Sequence, residues 1–240
     1  MLNKAWVVII VLGFILLAPG WAWAAQEGET VKQSSDIVRV ALLLTVLAII
    51  PSLFISMTSF IRIAIVLSMV RHAFGMPETP PNQVLVSLAL FLSLFIMTPT
   101  LTRANTEAVQ PFLSGDIAVE QAIELGSDPF REFMLSQVRD QDIATMYSIA
   151  KVPLPDRPED VNLLYLTPAF ILNELRTAFT IGFIVLLPFL LIDLVVSSIL
   201  LSLGMMMVPP ATISLPIKIL MFVVIDGWSL VIQGVLGGFG

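Results

Sequence analysis

The run from Leu194 to Ile217 carries no charge in 24 residues, and near its middle stands Leu203-Gly204-Met205-Met206-Met207-Val208-Pro209-Pro210. One helix of about 20 residues would span hydrocarbon, but this run cannot be one helix. Gly204 adds backbone entropy, and Pro209 and Pro210 lack the donor that a helix interior needs, so the methionine triplet sits at or beside a hairpin tip. A tip between membrane-length helices ordinarily reaches water and is polar. This one is apolar throughout, so protein or lipid must shelter it. Two uses fit: apolar filling of a buried turn, or an adaptable seal, since the unbranched thioether re-packs around irregular partners.

The rest of the chain sets the same scale. It has 240 residues, 57% of them hydrophobic and 12% charged, with a mean hydropathy of +0.95, outside the balance of soluble domains. Cysteine is absent, which excludes disulfides, thiolate metal sites and cysteine nucleophiles. His72 is the one histidine, and no ligand cluster accompanies it in sequence. No GxxxxGK[ST] phosphate loop occurs, so neither a cofactor nor an enzymatic activity is expected. The net charge of −6 is concentrated: residues 103–165 hold five basic and eleven acidic residues, and the remainder holds seven of each. No basic footprint for nucleic acid is present.

Along the chain, residues 1–24 read as a signal peptide, with Lys4 before an apolar core and Ala22-Trp23-Ala24 as the small-x-small site. Cleavage falls between Ala24 and Ala25. Trp21 and Trp23 also suit the aromatic belt of an uncleaved first membrane helix. Residues 25–39 form a polar segment. Residues 40–102 form a first apolar helical hairpin from two uncharged windows, 22 residues from Val40 to Ile61 and 24 from Thr79 to Thr102. Arg62, Arg71 and His72 against one Glu78 place the connection in the cytoplasm by the positive-inside rule.

Residues 103–165 then lie outside as an acidic, mostly helical segment. Asp128-Pro129 reads as an N-cap and first helical residue there, with Phe130, Phe133, Met134 and Val138 on one face. Ile143, Met146, Tyr147 and Ala150 continue the pattern until Pro153. Residues 166–240 form the second apolar hairpin. One arm starts at Thr167-Pro168 and the other runs from Ala211 to about Leu236. The expected fold class is all-α, with membrane-associated hairpins.

Glu174, Arg176, Asp193, Lys218 and Asp226 interrupt the second hairpin, and an unpaired charge at bilayer depth costs at least about 2.5 kcal/mol. Asp193 lies thirteen residues before Met206 and Lys218 twelve after it, so folding the hairpin back brings them to one height. They are natural ion-pair partners. Ser52 with Ser56, and Ala178 with Gly182, have the spacing that lets helices approach closely.

Three blocks together resemble the FliP family of flagellar export-gate proteins, relatives of the core components of type III secretion. The first runs from Thr58-Ser59-Phe60-Ile61-Arg62-Ile63 through Arg71 and Gly75 to Thr79-Pro80-Pro81-Asn82-Gln83-Val84. The second is Pro168-Ala169-Phe170-Ile171-Leu172-Asn173-Glu174-Leu175 with Ala178-Phe179-Thr180-Ile181-Gly182-Phe183. The third runs from Asp193-Leu194-Val195-Val196 through the methionine triplet to Thr212-Ile213-Ser214-Leu215-Pro216, Lys218 and Asp226-Gly227-Trp228. Asn173 and Thr180 depart from the family pattern, which more often has a small hydroxyl and a longer polar side chain at those places.

The resemblance implies a subunit that assembles as a pentamer with FliQ and FliR into a closed helical pore of the basal body in the bacterial inner membrane. FliO is the implied assembly factor, FlhA and FlhB are the implied neighbours, and unfolded flagellar subunits are the cargo. It also implies that Met205, Met206 and Met207 form the gasket, and that the apolar segments serve subunit interfaces more than lipid contact. A competing reading from the charges is a secondary transporter or proton channel relaying through Asp193, Lys218 and Asp226, although no internal repeat of the kind that builds such sites is obvious. An aspartyl protease built on Asp193 and Asp226 is disfavoured by Lys218, the nearer charge partner in sequence.

Overall fold

A computed structural model describes residues 40–41, 44–45, 48–49, 51–53, 55–75 and 78–239. The expected signal peptide with its cleavage site at Ala24 and Ala25, and the expected polar segment 25–39, lie outside the described residues. The chain divides after residue 49 into two units. In the first, the described positions from 40 onward are helical.

The second unit is all-α, with no strand among the described residues. Its elements are α1 (Phe60–Ala73), α2 (Asn82–Ala104), a π-helical turn (Asn105–Val109), α3 (Gln110–Ser114), α4 (Val119–Gln137), α5 (Asp140–Ala150), α6 (Leu163–Ser202), α7 (Pro210–Val224) and α8 (Gly227–Leu236). A 3₁₀ turn, Gly237–Phe239, follows α8. Among the described residues, Asn82–Ser114 and Leu163–Ser202 are each long and apolar enough to cross a membrane, and the bent pair α7–α8 makes up to three.

The core is a seam between α1 and α6. Ile63, Val66, Leu67 and Val70 are fully or almost fully buried. They pack with Ala178, Phe189 and Phe222, and with Leu85 and Ala89 of α2. The close approach rests on Gly182, where a Cβ would overlap the side chain of Met69. This gives the Ala178/Gly182 spacing its physical use, since small residues let helix backbones come together. A second cluster joins Met134, Ile143 and Tyr147 to Leu166, Ala169 and Phe170, which seats α4 and α5 on the first half of α6.

Four sequence expectations change. The connection after Ile61 is itself a 14-residue helix, α1, and Arg62 faces the core with 1% exposure. It is therefore a core residue and gives no weight to a cytoplasmic loop. Helix α4 begins at Val119 and carries Pro129 in its interior, so Asp128 is no cap. The ring costs one backbone hydrogen bond, which the burial of Pro129 and Phe130 offsets. Helix α6 starts at Leu163, where the Asn162 side chain accepts from the Leu164 N–H at 2.8 Å. The final arm is not continuous: α7 and α8 bend by 67° at a short break. Asp226 takes φ +51° there, a left-handed conformation that aspartate tolerates better than most residues.

Where α5 meets α6, Asp142 of α5 accepts two hydrogen bonds from the Arg176 guanidinium, at 2.7 and 2.9 Å. These bonds hold the Asp142 carboxyl below the usual carboxylate range. A folded-state value below the unfolded one means that the stabilisation is complete above the ordinary aspartate value of about 4 and fades as pH falls through the lowered folded value. Arg176→Ala is expected to lower the melting temperature at pH 7 and to leave stability less sensitive to acid than in the parent. Thermal melts in detergent across the acid range measure both effects.

Candidate functional site: the methionine hairpin and its base

Helix α6 meets α1 as far as Phe189, which packs edge-on to Phe74 at 5.4 Å between centroids. Thirteen further residues carry it to Ser202, roughly 20 Å at 1.5 Å per residue. Helix α7 returns alongside. Val196 and Leu200 of one arm, and Ser214 and Lys218 of the other, are buried. The outer faces stay open: Leu191, Leu194, Leu201 and Leu220 are all more than half exposed in the isolated chain. An apolar surface of that extent on a helical pair is the mark of a lipid or protein contact.

The tip is built as its residues require. Gly204 has φ +72°, a conformation that glycine adopts without steric cost. Its N–H and that of Met205 donate to the carbonyls of Leu201 and Leu200 and close α6. Pro209 caps α7 and Pro210 is its first residue, where the missing N–H has no helical partner to lose. Between these stops the side chains of Met205, Met206 and Met207 are 43, 81 and 97% exposed. All three project from a fixed turn into open space.

Midway along the arms, Lys218 Nζ donates to Asp193 Oδ2 at 2.6 Å. The Lys218 side chain is only 8% exposed and Asp193 is 40% exposed, so the pair also fixes the register of the two arms. Asp193→Ala would leave Lys218 charged and nearly enclosed, at the lower end of the roughly 3–5 kcal/mol typical of a broken buried pair. The expected result is loss of assembled protein. The exchanged pair, Asp193→Lys with Lys218→Asp, is expected to recover part of it, as native gels of membrane extracts would show; a harmless single variant would refute a structural role for the bond.

At the base, Phe74 and Phe222 stand edge to face at 4.8 Å, and Trp228 stands against Phe222 at 5.4 Å. A Cβ on Gly227 would run into the Phe222 ring. The break after α7 therefore sits directly on this cluster. Pro188, one residue before Phe189, interrupts the hydrogen bonding of α6 at the same level.

Further along the α1–α6 seam lies a group that sequence reasoning did not assemble. Arg62 and Glu174, 2% and 0% exposed, form a bidentate pair at 2.9 and 2.5 Å. Arg62 also donates to Gly238 O at 2.9 Å and Gln137 Oε1 at 3.2 Å, and its guanidinium lies 3.6 Å from the centroid of Phe239. One side chain thus ties α1 to α4, α6 and the C-terminal turn. The available signal was the pairing of two charges inside apolar runs, each of which needs a partner. Asn173, beside this pair, donates to Gln137 O at 2.8 Å, and Thr180 donates to Arg176 O at 2.9 Å. Both departures from the family pattern find hydrogen-bond partners, Asn173 across to α4 and Thr180 within α6. No group of three or more His, Asp or Glu side chains that could hold a metal occurs among the described residues.

Fold and site together define an all-α, membrane-type protein whose most distinctive surface is a helical hairpin with an apolar, methionine-bearing tip. The model of the FliP family matches residues 43–235, and the chain belongs to that family. It is 48% identical to the flagellar biosynthetic protein FliP of Pectobacterium carotovorum subsp. carotovorum, over 96% of this chain and 92% of that one. It is 47% identical to the protein of the same name from Bacillus subtilis (strain 168), over 85% of this chain and 93% of the relative. With that of Aquifex aeolicus (strain VF5) it shares 40% identity, over 99% of this chain and 100% of the relative.

Proposed function

We propose that this protein is a pore-forming subunit of the flagellar type III export gate in the bacterial inner membrane, and that Met205, Met206 and Met207 close the pore. The observation that carries the proposal is the tip itself: an apolar turn at the end of an apolar hairpin, its methionines open to whatever surrounds the chain. An exposed methionine triplet gains nothing for the isolated fold. Converging copies of it give a ring of soft side chains that excludes water by dewetting and yields to a passing polypeptide. In this reading the outer faces of the hairpin arms meet neighbouring subunits of a pentamer, together with FliQ and FliR. FliO assists assembly, and FlhA and FlhB complete the apparatus. The cargo is unfolded flagellar subunits, which demand tolerance of every side-chain chemistry, and a rigid ring cannot supply that.

A proton or solute relay through the charged residues is less well supported. Asp193 and Lys218 satisfy each other, and no side-chain hydrogen bond links Asp226 to them among the described residues. The test of the pore reading is to stall an export substrate fused to a folded plug and to place a photo-crosslinker at Met206 or Met207. Adducts to the stalled chain are expected at both positions. Adducts found only on the outer faces of the arms, and never at the tip, would overturn the proposal.

A further inference from the structure

The acidic segment carries an apolar groove of about 620 Å³ that the hairpin does not use. One wall is the π-helical turn and α3, with Ala108, Val109 and Phe112; the other is α4 from Val119 to Phe130, with Ile123 between them. The walls stay close because Gly126 faces Ala108, where a Cβ would lie 3.3 Å from the Ala108 Cβ. The lip is open: Phe112 is 42% exposed, Val119 48% and Ile123 70%. Glu120 and Glu124, on the turns of α4 beside Ile123, are exposed and form no ion pair among the described residues.

The complementary feature lies where α5 ends. Ile149 is 71% exposed, Val152 39% and Leu154 52%. Between them Lys151, in the left-handed conformation that closes α5, is exposed and forms no ion pair among the described residues. An apolar ridge with a free cation thus matches an apolar groove with free carboxylates. Groove and ridge are two different surfaces of the chain: the groove lies between the π-helical turn, α3 and α4, and the ridge at the end of α5. Two different patches that complement each other make a head-to-tail contact between copies, which repeats around a ring where the rotation closes.

From this we infer that the groove between the π-turn and α4 receives the Ile149–Leu154 ridge of a second copy of this chain, with Lys151 beside the neighbour's Glu120 and Glu124. The inference rests on the multi-copy reading above and adds the surface through which the acidic segments join. The contact pairs apolar area with opposite charge at the rim, where charge sets register and partner choice more than affinity.

The absence of cysteine from the chain allows a direct test. Ile123→Cys and Leu154→Cys are introduced into the full-length protein, singly and together, and the protein is expressed with its assembly partners and oxidised in isolated membranes. A disulfide requires Cα atoms within about 7 Å. A ladder of linked copies is expected from the double variant and none from either single. Adding Lys151→Glu is expected to weaken the ladder, and adding Glu120→Lys and Glu124→Lys as well is expected to restore it. The mass of the purified particle separates the two levels of the argument. Multi-copy particles without a ladder overturn this contact and leave the pore reading standing, as does Ile123→Cys linking to its own copy or to a different polypeptide. Single-copy particles overturn both.

Discussion

Glu174→Ala is expected to abolish accumulation of the folded subunit. The substitution removes the bidentate partner of Arg62, whose side chain is 2% exposed, and breaking a buried pair by removing one member costs about 3–5 kcal/mol. That is a large share of the roughly 5–15 kcal/mol by which a folded domain is stable. The damage also spreads, because Arg62 holds Gly238 and Gln137 and lies over Phe239. A displaced Arg62 releases the C-terminal turn from α4 and α1 together. Arg62→Ala is expected to be as severe, since Glu174 would then be the enclosed, unpaired charge. The double variant Arg62→Met with Glu174→Leu removes both charges and refills the space, and is expected to recover more stability than either single. The measurement is subunit level and melting temperature in detergent for the parent, Arg62→Met, Glu174→Leu and the double variant. Additive losses in the double variant would mean that the two side chains act independently.

The two ion pairs differ in how far they could be read from the chain, and the reason is geometric. Asp193 and Lys218 flank one turn, and two nearly straight arms preserve equal heights on either side of it. Their pairing follows from counting residues outward from Met206. Arg62 and Glu174 are 112 positions apart, and no turn of known register relates them. Only packing of α1 along α6 puts them in contact. Arg62 looked instead like the first charge after a membrane-length window, a reading that treats α1 as a connection because its apolar stretch is too short to span.

The first half of helix α4 was hidden for a different reason. Gly126 and Pro129 weaken a helix locally, yet Gly126 is needed where α4 approaches Ala108, and Pro129 is buried beside Phe130. Tertiary contact overrides propensity at both positions. The bend between α7 and α8, by contrast, left a trace in the sequence. Asp226-Gly227 is a dipeptide of the turn-forming kind, submerged in an apolar run whose hydropathy continues through it. The methionine turn was the most legible part, since Gly204, Pro209 and Pro210 act on the backbone alone and need no distant partner.

Because those three residues carry the shape of the turn, the proposed seal can be tested apart from the fold. Replacing Met205, Met206 and Met207 together with alanine removes side chains that are half to fully exposed in the isolated subunit. Exposed substitutions of this kind usually change stability by no more than about 0.5 kcal/mol. Assembly is therefore expected to persist. In the proposed pore what changes is the constriction: each alanine withdraws the outer three heavy atoms of a flexible apolar arm, and a ring of shortened arms leaves space that water can occupy. A hydrophobic gate loses its barrier once it is wet. The expected result is ion conductance through purified complexes in planar bilayers, and leakage of small solutes into cells expressing them, with complex mass unchanged. Leucine at the same three positions keeps the apolar volume but branches and stiffens each side chain, so these complexes are expected to stay closed while cargo passes more slowly. A leak in the alanine variant with tightness in the leucine variant identifies apolar bulk as the barrier. Slow export in the leucine variant identifies softness as what lets the barrier yield. An alanine variant that assembles and stays tight would place the seal elsewhere in the complex.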